Sequence, residues 1–473
     1  MLSYVTDVYK KEWKTMSSEN KKSVLAENKM GVMRVGKLLF SMAVPMMISM
    51  LVQAFYNVVD SVFVAQISEN ALNAVSLAFP LQSLMIAFGG GTAVGINALL
   101  SRSLGEKNQD AANQTANTGI FLSLCFSVVF AVIGIFLSKP FFLMQTETEE
   151  IVKCGTDYAS VCLGCSFGIF SQFCFERLLQ STGRTTLAMV TQLTGAVINI
   201  VLDPILIFGY LGFPAMGVKG AAVATVSGQI VAAIFAVILN IKCNPEIHIS
   251  LKKIRWHKET AKGILKVGFP SIIMQSIGSV MTFSLNSILI SFTETATAVF
   301  GAYFKLQSFI FMPIFGLNNA MVPIISYNFG AKKPDRVKST IKITIITAVS
   351  LMFVGVIAFE TIPHVLLSIF NASENMIAIG VPALRIIAIH LCLAGFCIIA
   401  GSVCQAIGNP LYSLIVSVCR QLVVLIPAAW LLSKTGILEM VWWAFPIAEV
   451  CSLILSSIFL AKTMKRANKI MNA

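Results

Sequence analysis

Charge is what this chain of 473 residues has least of. Lys, Arg, Asp and Glu together make up 12% of it, and the acids number only 22. A soluble domain carries about 25% charged residues, so the deficit removes the polar surface that a water-soluble fold of this length needs. Histidine is rarer still, at four. None of these sits in an H-E-x-x-H pattern, and the chain has no G-x-x-x-x-G-K-S/T loop, no G-x-G-D pairing and no D-D-x-x-D. Those absences exclude an obvious ATPase, zinc peptidase or prenyl-diphosphate site; an enzyme is not expected, nor a cofactor. Cysteine is present, but Cys162 and Cys165 form a lone C-x-x-C in an apolar run with no second pair. Helix packing accounts for such residues. Long polar stretches are missing except at residues 1–34 and 243–262. The first is too long and too polar for a cleaved leader and is expected to be a cytosolic tail.

What is present is hydrophobic: 56% of residues, with mean hydropathy +0.81. About 20 mostly apolar residues cross a hydrocarbon core, and such runs recur at 35–65, 70–101, 111–138, 151–180, 185–210, 216–241, 263–292, 296–328, 339–363, 373–406, 411–433 and 440–462. With the N-terminus inside, the inner segments hold 26 Lys and Arg and the outer loops only Lys139, Lys153, Lys219 and Lys434. The excess of basic residues marks the cytoplasmic side, so both termini are expected there, in a multi-pass protein of the cell membrane. The net charge of +13 therefore answers to the bilayer surface. No basic stripe interleaved with aromatics suggests nucleic acid, and nothing demands a partner subunit, so a monomer is expected.

The expected organisation is a tail (1–34), a first lobe of six helices (35–242), a linker (243–262), a second lobe of six (263–465) and a short tail (466–473). The two lobes repeat each other. Pro45 matches Pro270, Leu81-Gln82-Ser83 matches Leu306-Gln307-Ser308, Gly105 matches Gly330, and Gln180 and Gly183 match Gln405 and Gly408, all at an offset of 225. Six crossings per copy make the repeats parallel, related by an axis along the membrane normal. The fold class is all-α integral membrane, with two pseudo-symmetric six-helix bundles around a central cavity.

Charges within apolar spans are costly and mark candidate sites. Asp60 lies some 24 residues into the first span, about 36 Å along it, and Asp203 about 27 Å along the fifth, both in the outer half. Buried carboxylates favour protonation, and hard oxygens suit small cations. Asn57 and Asn199 lie one turn before the acids and are expected to share their pocket. Pro45 and Pro204 permit bends in the same two spans. The equivalents of Asp60, Asn199 and Asp203 in the second half are Leu285, Val424 and Ala428, so the acidic site belongs to the first half alone. The second half instead carries Lys305, Arg385 and Arg420 in its spans. With Glu449 and Glu360 these are expected to form a buried charge network, structural or in contact with substrate. Gln307, Met312 and Phe315 are candidates for lining a substrate cavity. Glu176 and Arg177 read as an interfacial pair.

Two six-span halves, the proline fifteen residues before Asp60, the N-x-x-x-D-P of Asn199 to Pro204 and the Q-x-x-G turns after spans four and ten are similar to the multidrug and toxic compound extrusion (MATE) family. The stretch from Tyr303 to Asn319 resembles the bacterial branch related to the DNA-damage-inducible members. The resemblance covers roughly residues 30–465. It implies export of amphipathic, often cationic compounds in exchange for inward H⁺ or Na⁺. It also implies that the coupling ion is handled by Asp60, Asn199 and Asp203, with Thr225 as a hydroxyl ligand from the sixth span. The alternative in the wider superfamily is a flippase for lipid or lipid-linked oligosaccharide, which would need a cavity rich in cationic side chains.

Overall fold

Apolar runs longer than a bilayer is thick leave the backbone one way to satisfy its own hydrogen bonds, which is the helix. The computed structural model describes residues 28–250, 254–370 and 372–472, and among these there is no strand. Ten helices are long and apolar enough to cross a membrane, and two bent pairs bring the crossings to twelve. In the first lobe these are α1 (Val35–Ala65), α2 (Glu69–Gly105), α3 (Gln109–Leu143), α4 (Glu149–Gly164 with Phe167–Ser181), α5 (Thr185–Phe208) and α6 (Val218–Cys243). The second lobe holds α7 (Lys258–Leu289), α8 (Glu294–Gly330), α9 (Pro334–Thr361), α10 (Glu374–Ala388 with Leu391–Ala406), α11 (Pro410–Ser433) and α12 (Ala444–Asn472). The last helix continues to Asn472, through residues expected as a tail, and α7 starts inside the expected linker. Most of the expected tail, residues 1–27, lies outside the described residues.

The repeat holds at the level of single hydrogen bonds. The Ser68 hydroxyl accepts from Ala71 N to cap α2, and the Thr293 hydroxyl accepts from Ala296 N to cap α8, each at 3.0 Å. Ser101 Oγ donates to the Ser181 carbonyl and Ser326 Oγ to the Ala406 carbonyl, again both at 3.0 Å. Every one of these partners differs by 225. The bends coincide too: α4 breaks by 42° between residues 164 and 167, and α10 by 47° between 388 and 391. At the first break the freed Ser166 donates its hydroxyl to the Ser127 carbonyl.

The lobes meet through glycine. α2 lies along α7, and α1 along α8. A Cβ at Gly105 would collide with the carbonyl oxygen of Tyr327, and one at Gly330 with that of Arg102, so these backbones touch directly. Gly91 would meet the Gly268 carbonyl at 2.9 Å, and Gly316 the Met47 Cα at 2.5 Å. All four contacts lie toward the ends of the helices that carry the basic residues, here the basic face. The short helix Lys29–Val32 joins the lobes at that face. Asn28 Nδ2 donates to the Thr182 carbonyl (3.0 Å) and Glu246 Oε2 (2.6 Å) in the first lobe and linker. From the second lobe, Asn328 Nδ2 donates to the Met30 carbonyl (3.0 Å) and Arg336 Nη2 to the Met33 carbonyl (2.6 Å). Burial pushes the Glu246 carboxyl above its ordinary range, against the pull of Arg184. Although consecutive in the chain, α7 and α8 make little contact with each other.

Gly105→Ala should cost about 2 kcal/mol, since overpacking against backbone typically costs 1–3 kcal/mol. Gly301→Ala, with open space around it, should leave stability unchanged or raise it. Thermal unfolding of the purified variants reads both.

Candidate functional site

α5 and α6 pack side by side, and this neighbourhood is possible because small residues face each other. Gly195 lies against the Gly228 carbonyl and Ala232, and Gly228 against Gly195 and Asn199. The close approach brings Asn199 to α6. Its Nδ2 donates to Asp203 Oδ1 on its own helix and to Thr225 Oγ1 on α6, both at 3.3 Å. Asp203 is fully buried and Asn199 nearly so. The expected set of Asn199, Asp203 and Thr225 is thus assembled in one place.

Beside it is a small polar pocket, about 50 Å³, bordered by Asn199 and Thr225 with Ser49, Gln53 and Tyr56 of α1, Gln172 of α4 and Gln192 of α5. It has room for a water or a bare ion and is far too small for a drug-sized molecule. Asp60 lies one turn beyond Tyr56 on α1, close enough to Asp203 for their charges to interact. Five buried oxygens around this region have no donor: Ser49 Oγ, Asp60 Oδ1, Gln192 Oε1, Asn199 Oδ1 and Asp203 Oδ2. A buried acceptor without a partner costs about 1–3 kcal/mol. Five together describe a site in which acceptors outnumber the protein's own donors.

Asn57 is not part of it. Its side chain is exposed, and its carbonyl accepts the Ser61 hydroxyl; the packing of α1 turns inward the edge that carries Tyr56 and Asp60 and leaves the adjoining edge with Asn57 outside. α1 continues through Pro45 and α5 through Pro204 without a break in helix. Glu176 and Arg177 do not pair with each other. Glu176, 2% exposed, accepts from Gln172 (2.9 Å) and Thr191 (3.3 Å). Arg177 crosses to the second lobe, donating to Asn319 Oδ1 at 2.9 Å. Adjacent residues on a helix diverge by about 100°, which separates the two. Sequence reasoning also passed over Ser49, Gln53, Tyr56 and Gln192; the spacing of Ser49, Gln53 and Tyr56 at i, i+4 and i+7 is the signal that could have found the polar stripe of α1.

The single charge network expected of the second lobe resolves into separate sites. Arg420, on a π-helical turn of α11, donates to Glu449 Oε2 of α12 at 3.3 Å, and Glu449 is 3% exposed. Glu449 Oε1 and the Tyr303 hydroxyl stay unpartnered nearby. Arg385 and Glu360 form a half-exposed pair at 3.9 Å. Lys305 joins neither; its ammonium stands 5.9 Å from the centre of the Phe370 ring. The three cations sit on three helices that turn different faces to the lobe interior. Lys305 instead borders a cleft of about 580 Å³ between α7 and α8. Gln307, Met312 and Phe315 border neither this cleft nor the first-lobe pocket.

Two repeats of six crossings, seamed along glycine and carrying a small pocket bordered by polar side chains in the first copy, define a helical membrane transporter of the two-lobe class. The chain belongs to the MatE family, whose sequence pattern matches residues 45–205 and 270–431. Among curated proteins it is 28% identical to the multidrug export protein MepA of Staphylococcus saprophyticus over 413 residues, 87% of this chain and 90% of that one. MepA of Staphylococcus haemolyticus is 27% identical over similar coverage. Among solved structures it is similar to a multidrug resistance MATE family transporter of the MOP superfamily in an outward-facing conformation, with a TM-score of 0.87 and 26% identity over 94% of this chain and 98% of that one. A MOP superfamily transporter from Pyrococcus furiosus, described as having a binding pocket of reverse polarity, aligns with the same TM-score over 93% of this chain and 98% of that one, at 26% identity.

Asn199→Ala removes the donor shared by Asp203 and Thr225 and should cost about 2 kcal/mol. Asn57→Ala, on an exposed face, should stay within about 0.5 kcal/mol of the parent. Thermal unfolding in one detergent distinguishes the two.

Proposed function

We propose that this protein is a secondary active exporter of amphipathic, often cationic compounds, exchanged for inward H⁺ or Na⁺ by alternating access. It acts as a monomer in the cell membrane, with the basic face and both termini on the cytoplasmic side. The carrying observation is the group of bare oxygens around Asp60, Asn199 and Asp203. Such a group is relieved by a proton on a carboxylate or by a small hard cation among the oxygens. The multidrug export named for its relatives agrees with this reading.

Coupling follows from differential affinity. Protonation or Na⁺ binding neutralises the first-lobe acids and alters how α1 and α5 pack. One of the two lobe arrangements then holds the ion more tightly, and substrate prefers the other. The glycine seam closes the cytoplasmic face in the arrangement described above; export requires it to part so that substrate can enter. The cleft between α7 and α8 carries one ammonium group, too little positive charge to hold a lipid diphosphate.

Dye efflux from proteoliposomes under an imposed pH gradient, and separately under an imposed Na⁺ gradient, tests the reading. One gradient should drive efflux, and Asp60→Asn should reduce it to the rate without a gradient. Unchanged efflux by Asp60→Asn at equal incorporation would refute the mechanism.

A further inference from the structure

The first-lobe pocket, at about 50 Å³, accommodates an ion and leaves the place of the larger substrate open. The cleft between α7 and α8 has the size that the pocket lacks. Its volume of about 580 Å³ falls within the range of drug-sized sites, roughly 300–1,000 Å³. α7 and α8 are the helices by which the second lobe meets α2 and α1, so the cleft between them lies next to the lobe interface.

The polarity of this cleft is the reverse of that of the first-lobe pocket. The hydroxyls on its walls are already engaged: Thr282 donates to the Gly278 carbonyl (3.0 Å), Ser287 to that of Phe283 (3.0 Å) and Thr297 to that of Glu294 (2.6 Å). Two groups remain available, the Asn286 amide and the Lys305 ammonium. No carboxylate among the described residues lies within ion-pair distance of Lys305. It stands eleven residues into α8, roughly 17 Å from the start of the helix, within an apolar span where a charge usually serves a site, and its nearest partner is the Phe370 ring at 5.9 Å. Water in the cleft hydrates it, but an entering amphipath displaces that water. A ligand with positive charge at this spot leaves the ammonium worse off; one with a carboxylate pairs with it. Phe283 (73% exposed) and Phe304 (39% exposed) offer ring faces on the two walls.

We propose that the cleft between α7 and α8 is an anion-accepting subsite. In it Lys305 and Asn286 hold the carboxylate of an amphipathic substrate whose aromatic part lies against Phe283 and Phe304. The inference rests on the export reading for its substrate, and it narrows that substrate class. Zwitterions gain most, because their cationic end can point to the acidic first lobe while the carboxylate meets Lys305. Two oppositely charged walls also set the orientation of the molecule in the cavity.

The test uses two rhodamines that differ in one group: tetramethylrhodamine, a zwitterion with a free carboxylate, and its methyl ester, a cation. Fluorescence anisotropy gives the Kd of each for the purified full-length protein, its Lys305→Gln and Lys305→Arg variants, and Asn286→Leu. Lys305→Gln should weaken the acid about tenfold and leave the ester equal or tighter, because a repelling charge is gone. Asn286→Leu should shift the acid-to-ester ratio in the same direction by a smaller factor, and Lys305→Arg should keep it near that of the parent. An unchanged ratio in Lys305→Gln, an equal loss for both probes, or no binding of the acid by the parent would each overturn the subsite. Binding needs no gradient, so a failure of ion-driven efflux leaves this ratio intact and is read separately.

Discussion

Backbone laid directly on backbone is the contact on which this architecture depends. Gly105 and Gly330 each place their Cα where a side chain would strike a carbonyl of the other lobe, and Gly91 and Gly316 likewise leave no room for a side chain against the facing backbone nearer the middle of the seam. These four positions form two equivalent pairs under the repeat. One kind of contact thus occurs twice, as in a symmetric dimer whose halves have been joined. Small residues let helices approach closely in a membrane, where van der Waals packing and not water exclusion holds them together. Such a seam is tight and rests on backbone contact, which suits the parting and re-forming proposed for it. The ties of Lys29–Val32 to both lobes add polar bonds where water can replace them.

Duplication explains the frame, and loss of symmetry explains the sites. Caps, bends and the serine bonds between helices recur at a constant offset, so both lobes fold by the same local rules. The side chains facing the interior have diverged. In the first lobe Asp203 meets only the Asn199 amide and no cation, and in the second the interior acid Glu449 is met by Arg420 through one of its oxygens. The cleft between α7 and α8 carries Lys305 where the first lobe has Pro80. On the proposed reading, a carboxylate-bearing lobe opposite an ammonium-bearing cleft would select both the charge and the orientation of what enters.

Much of this was legible in the chain. The apolar runs located the crossings, since a length requirement of about 20 residues leaves little choice. The N-x-x-x-D-P of α5 placed Asn199 and Asp203 together because i and i+4 share a helix face. Asn57 was read wrongly for the complementary reason: at three residues from Asp60 it falls on a neighbouring face, and only the packing of α1 decides which face is buried. Glu176 was underrated because its partner Thr191 lies on another helix. The basic residues of the second half were grouped by composition, and their positions on three helices separated them.

By itself the sequence determined how many times the chain crosses, that the crossings form two copies, and which copy holds the acids. Each follows from hydrophobic length, spacing along one helix, or comparison of equivalent positions. Only the tertiary structure decided that Thr225 meets Asn199, that five oxygens are left bare, that glycines form the seam, and that Lys305 faces a cleft instead of a counter-charge. Those facts depend on how each helix is rotated about its axis and which helices become neighbours. That information is shared among residues far apart in the chain and acquires a value only when the lobes pack.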